Sequence, residues 1–131
     1  MSRSSRKPDC PCGSAKPLDL CCRRFISGGA VPETPEELMR SRYTAYALGD
    51  EQYLKKTWYP GSMPPGGITL DRRAVKWVRL DVIRHEEDGP DGVVEFVAHC
   101  KVNGRAQKLH ETSRFLKEGG RWYYLDGTFS E

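Results

Sequence analysis

Cys10, Cys12, Cys21 and Cys22 stand in the pattern C-x-C-x8-C-C, and four thiols so close in sequence can either cross-link or hold a metal. Adjacent Cα atoms are about 3.8 Å apart, shorter than the roughly 4.4–6.8 Å that a disulfide spans, so a Cys21–Cys22 bond would be strained. Four thiolates around one zinc need only converge to about 2.3 Å from the ion at the corners of a tetrahedron. Gly13 and Ser14 supply a tight turn for this directly after the first pair, and Pro11 stiffens the link between Cys10 and Cys12. The pattern predicts a closed structural site of four cysteine ligands. Incidental free thiols and crossed disulfides, such as Cys10–Cys22 with Cys12–Cys21, are the alternatives. Spacing alone does not choose between zinc and iron. The first nine residues lead to Cys10 without the apolar run of an export signal; this points to a cytoplasmic, reducing setting and against disulfides. The fifth cysteine, Cys100, alternates with Val94, Phe96, Ala98 and Val102, the position of a small apolar core residue.

A site filled by four protein ligands leaves no open position for water, which argues against catalysis at the metal. Chemistry elsewhere would need a pocket. Its candidate polar lining is Arg42, Tyr43, Glu111, Ser113, Tyr124 and Asp126, able to hold a small molecule or, as an enzyme, to pair an anion-binding Arg with a general-base Glu. The simpler expectation is that Arg42 and Glu111 form a structural ion pair. His99 and His110 alternate with polar residues opposite the apolar faces and are expected to be exposed. No nucleophile–base spacing, phosphate loop or dinucleotide fingerprint is present.

The elements that must position these residues follow from the pattern of caps and alternation. Thr34-Pro35-Glu36-Glu37 opens a helix with an N-cap, a proline at the first helical position and a capping-box glutamate, and Gly49 closes it. At about 100° per residue, Leu38, Ala45, Arg42, Tyr46, Met39 and Tyr43 form one arc, with Arg40, Ser41 and Thr44 outside it. Arg42 sits in the middle of that stripe and calls for a partner. Asp50 caps a second short helix with Tyr53, Leu54, Thr57 and Trp58 on one face, before the loop residues Pro64-Pro65-Gly66-Gly67. Lys76–His85 reads as a strand with Val78, Leu80 and Val82 on one face. The strands 93–102, 105–117 and 121–127 follow, joined at Gly89-Pro90-Asp91-Gly92, Asn103-Gly104 and Gly119-Gly120. Helices followed by an antiparallel meander give an α+β fold, with helices covering one face of a curved sheet.

The chain has 131 residues, 37% hydrophobic and 30% charged, with a formal charge of +3. This is one domain of ordinary size with a small appendage, and no stretch approaches the ~18 apolar residues of a membrane span. Residues 1–24 carry a surplus of four positive charges, from Arg3, Arg6, Lys7, Lys16, Arg23 and Arg24 against Asp9 and Asp19. Four thiolates and a zinc dication would offset about two of them. RNA binding by the cysteine segment, with Phe25 stacking on a base, is therefore a minority reading beside a protein partner.

Cys10-Pro11-Cys12-Gly13-Ser14, Lys16 and Cys21-Cys22 resemble the SEC-C zinc motif found at the tail of the translocase ATPase SecA. Together with Phe25-Ile26-Ser27-Gly28, residues 38–46, Tyr53-Leu54, Thr57-Trp58, residues 113–116 and residues 122–127, they resemble the bacterial YchJ family of SEC-C proteins. The resemblance implies a zinc knuckle at 1–27 and a cystatin-like, nuclear-transport-factor-2-like body at 28–131. It also implies a role as a protein-interaction adaptor, with the ribosome or an export chaperone as partner.

Overall fold

The computed structural model of the chain describes residues 10–63 and 75–130, the side chain of Ser130 excepted. Arg3, Arg6, Lys7 and the expected loop at Pro64–Gly67 lie outside them. A short helix α1 (Arg23–Ile26) follows the cysteine segment, then come α2 (Pro35–Leu48) and α3 (Glu51–Lys56), and four strands, β1 (Val75–Asp88), β2 (Asp91–Val102), β3 (Arg105–Glu118) and β4 (Arg121–Ser130). The strands form one antiparallel meander in the order β1-β2-β3-β4. Among the described residues no helix is long and apolar enough to cross a membrane.

The caps hold as read. Thr34 accepts a hydrogen bond from the Glu37 amide at 3.0 Å, Asp50 accepts one from the Tyr53 amide at 3.1 Å, and Gly49 ends α2 in the left-handed conformation. The Glu37 carboxylate reaches the amide of Glu33 rather than that of Thr34. Side-chain capping satisfies an amide that the helix cannot. Thr34→Ala is therefore expected to lower stability by about 1 kcal/mol, read from the denaturant midpoint; an unchanged midpoint would show that the glutamate alone secures the helix start.

The core lies between α2 and the concave face of the sheet. Leu38, Met39 and Tyr43 pack on Leu80, Val94, Phe96, Ala98, Phe115 and Trp122, and Cys100 is buried as expected. Burial pushes the Tyr43 phenol up to about 12. Two bulges in β1 change the alternation read from sequence. Register shifts between Trp77 and Arg79 and between Val82 and Arg84 leave Val78 and Ile83 without a partner on β2. Val78, expected to face inward, is 55% exposed, and Trp77 takes its place against Tyr43 with ring centroids 5.6 Å apart. An extra residue reverses every side chain beyond it, and a single-residue period cannot foresee one.

The segment after α3 closes on the far edge of the sheet. The Tyr59 amide donates to the Tyr124 carbonyl and the Tyr124 amide to the Thr57 carbonyl, both at 2.8 Å, a short parallel bridge along β4.

Candidate metal centre

The four cysteines come from a turn and a short helix. Cys10 and Cys12 flank Pro11, and the chain returns through a 3-10 turn at Leu18–Leu20 to Cys21 and Cys22, which lead into α1. The Cys10 amide donates to the Lys16 carbonyl at 2.8 Å, closing the first loop. All four thiols are buried, and their sulfurs lie within 4.8 Å of one another. Cys12 Sγ is 3.6 Å from Cys21 Sγ, and Cys21 Sγ is 3.9 Å from Cys22 Sγ. A tetrahedron with bonds of about 2.3 Å has edges of about 3.8 Å, so the donor set and its spacing fit a thiolate-bound metal.

Burying four thiols in contact sets them against one another. The hydrogen bond from Cys12 holds Cys10 well below the ordinary thiol range, while Cys22 is pushed far up, first by its hydrogen bond with Cys10. A dication held by Cys10, Cys12, Cys21 and Cys22 would favour the thiolate form of all four and offset part of their mutual repulsion.

The segment does not hang from a flexible connector. It is seated on α2 and β1. Arg40 donates to the Cys12 carbonyl at 2.6 Å while pairing with Glu36 at 2.9 Å. Thr44 Oγ1 lies 3.5 Å from Cys10 Sγ, and Ser14 Oγ lies 3.1 Å from Cys21 Sγ. The fully buried Ser41 donates to the Leu38 carbonyl and accepts from the Tyr53 hydroxyl at 2.7 Å. Arg40, Ser41 and Thr44, which fall outside the apolar arc of α2, are thus the residues that join it to the cysteine segment and to α3. Polar residues on a second helix face give no periodic signal, so sequence reasoning missed them.

An outer hydroxyl that donates to a ligating sulfur supports metal retention. Thr44→Val keeps the shape and removes the donor; it is expected to weaken metal affinity about tenfold, measured by chelator competition on the full chain. Equal affinity would reduce Thr44 to a packing role.

The residues predicted to line a pocket separate into three groups. Arg42, Glu111, Ser113 and Tyr124 border one cavity of about 60 Å³ between α2 and the sheet, with Tyr46 and Phe96. Tyr43 is packed in the core against Trp77. Asp126 lies elsewhere, exposed and paired with Arg114 at 2.6 Å. The register runs from Arg114 opposite Asp126 to Phe115 opposite Tyr124, leaving Leu125 as an extra residue that reverses the face of Asp126.

The expected Arg42–Glu111 ion pair is not formed. Arg42, 4% exposed, donates to the Leu54 carbonyl at 2.8 Å and the Thr57 hydroxyl at 2.7 Å, and its guanidinium lies 4.5 Å from the centre of the Tyr124 ring. Burial draws its pKa down, yet a guanidinium stays charged. Glu111 instead accepts from Ser113 at 2.6 Å and Tyr124 at 3.0 Å. A methyl group at Gly127 would overlap this carboxylate, so the Glu111 side chain holds its present place only with glycine there.

A family model described as the YchJ middle NTF2-like domain matches residues 34–127. The chain belongs to the YchJ family. Among curated proteins it is 51% identical to a UPF0225 protein of Chromobacterium violaceum, over 96% of each chain. It is also 48% identical to a UPF0225 protein of Ralstonia nicotianae, over 90% of this chain and 89% of the other. The solution structure of a SEC-C motif containing protein from Rhodopseudomonas palustris superposes with a TM-score of 0.82 at 36% identity, covering 93% of this chain and 98% of that one. A crystal structure of a SEC-C motif containing protein from Psychrobacter arcticus gives a TM-score of 0.72 at 28% identity, covering all of this chain and 86% of the other.

The YchJ match covers the body and begins at the N-cap of α2, leaving the cysteine segment N-terminal to it. Phe25, which RNA stacking would require on the surface, is 5% exposed and roofed by the Arg24 guanidinium at 4.5 Å. The two histidines expected to be exposed are partly covered: His99 pairs with Asp81 at 2.8 Å and His110 with Glu95 at 2.7 Å, on the sheet face away from α2.

Proposed function

We propose that the protein is a zinc-stabilised interaction adaptor. In this reading Cys10, Cys12, Cys21 and Cys22 hold one structural Zn2+, residues 1–27 act as the metal-binding cap and residues 28–131 as the NTF2-like body. The single observation that carries it is the buried sulfur cluster seated on α2 through Arg40 and Thr44. A closed four-thiolate site does no chemistry of its own, so its contribution is shape. The cap presents Leu20, 67% exposed, next in sequence to Asp19, which pairs with Arg23 at 2.9 Å. An exposed apolar side chain beside an ion pair suits a protein surface with a small apolar pocket and a polar rim. By its SEC-C resemblance the partner is sought on the ribosome or among export chaperones, in the cytoplasm.

The test is affinity capture from bacterial extract with the full chain and with Leu20→Asp, which leaves every cysteine in place. Bound proteins and RNA are identified at two salt concentrations. A ribosomal or export-chaperone protein retained by the wild type and lost with Leu20→Asp supports the adaptor. Capture governed by RNA, with a steep loss on raising salt, would replace it.

A catalytic reading of the body draws less support. The cavity shared by Arg42 and Glu111 is about 60 Å³, far below the roughly 300 Å³ at which small-molecule sites begin, and its polar groups are already engaged, Glu111 with Ser113 and Tyr124 and Arg42 with Leu54 and Thr57.

A further inference from the structure

A second and larger cavity, of about 300 Å³, opens where the cysteine segment, the connector 29–32, α3 and β4 meet. Behind it lie the buried Phe25 from α1, Leu38 from α2, Tyr53 from α3 and Trp122 from β4, and its open wall is formed by Val31, Pro32 and Tyr123. The buried backing is fixed in place. The Trp122 indole donates to the Glu33 carbonyl at 3.2 Å, and the Tyr53 hydroxyl is held by Ser41. Lys56 and Arg121, both exposed, stand at the rim. No Asp or Glu lines the cavity, and neither cation is ion-paired to an acid among the described residues.

Lys56 lies over the Tyr53 ring at 5.5 Å and Arg121 stands cross-strand from Glu118, yet neither is held in a close ion pair among the described residues, and two such cations at the rim of a partly apolar cavity attract an anion that also carries an apolar body. The volume admits about one ring with its acidic group. We propose that this cavity is a binding site for a small apolar acid, with a carboxylate or phosphate held by Lys56 and Arg121 and its apolar body against the half-buried Val31, Pro32 and Tyr123. The site lies outside the group of residues singled out from the sequence. It is assembled from four separate parts of the chain, and Phe25 reaches it only because the cysteine segment is docked.

The test is amide NMR titration of the full chain with phenyl phosphate and with benzoate, beside inorganic phosphate and benzyl alcohol as the two halves of the ligand. For probes of this size a dissociation constant on the order of millimolar is expected. The shifts should saturate and cluster at the amides of Lys56, Thr57, Arg121 and Trp122. Either aromatic acid should bind at least about tenfold more tightly than its halves, the gain that one well-placed charge or ring contributes. Lys56→Ala/Arg121→Ala, at two exposed positions, should weaken it by a similar factor without changing the rest of the spectrum. The proposal is overturned if neither acid gives saturable shifts up to about 20 mM, if inorganic phosphate alone reproduces them, or if the double variant binds as tightly as the wild type. Binding of phosphate but not carboxylate, or the reverse, identifies the acid.

Discussion

A chain in which Cys21 and Cys22 are both serine is expected to bind no metal, while the wild type retains about one zinc per molecule. Metal binding is worth about 10–16 kcal/mol in comparable short peptides, more than any other single contribution available to residues 10–27. Two ligands of four cannot keep it. The segment holds few large apolar side chains besides Phe25, Leu18 and Ile26, so without the ion it is expected to lose its order. The body should stay folded, because its core lies between α2 and the sheet. Metal analysis gives the stoichiometry, and amide spectra distinguish local from global unfolding. Retention of stoichiometric zinc by the double variant would overturn the four-cysteine assignment. Acid acts in the same direction: thiolates must be deprotonated to bind, so affinity falls as pH falls, and metal should be released on acidification and recovered on neutralisation.

Arg42→Ala is expected to destabilise the body by about 2–5 kcal/mol. Truncation removes charge-assisted hydrogen bonds to the Leu54 carbonyl and Thr57, takes a cation away from the faces of Tyr124 and Trp58, and opens a void between α2, α3 and β4. Arg42→Met restores most of the volume but not the donors, and should recover part of the loss. Glu111→Gln is the informative contrast. Its oxygen can still accept from Ser113 and Tyr124, so the change should stay below about 1 kcal/mol. A Glu111→Gln loss as large as that of Arg42→Ala, from denaturant unfolding, would show that the two charges are energetically paired in spite of their separate hydrogen bonds.

The sequence made some features legible for reasons that are local. Thr34, Gly49 and Asp50 mark helix ends because capping is a contact between near neighbours. The cysteine cluster was readable because four ligands within thirteen residues leave few alternatives. Arg42 was readable as a charge in an apolar stripe that needed partners, although they proved to be a backbone carbonyl and a hydroxyl. Val78 and Asp126 were misplaced for one shared cause, an extra residue in a strand that reverses the pleat. Thr44 and Arg40 gave no signal because their partners lie 34 and 28 residues away. The cavity beneath Lys56 and Arg121 is the extreme case, since nothing in one segment announces a wall completed by three others.

The bridge between Thr57–Tyr59 and Tyr124 has a consequence for how copies of this chain meet. It occupies backbone groups at the β4 side, where an incoming strand would otherwise find a template. Along β1 the pairing with β2 is interrupted twice, at Val78 and Ile83, amid the exposed Arg79, Arg84, Glu86 and Glu87. A strand laid along it would meet broken register and charge of both signs. Cover at Tyr124 on one border and irregular register with mixed charge on the other each disfavour an added strand, by different means.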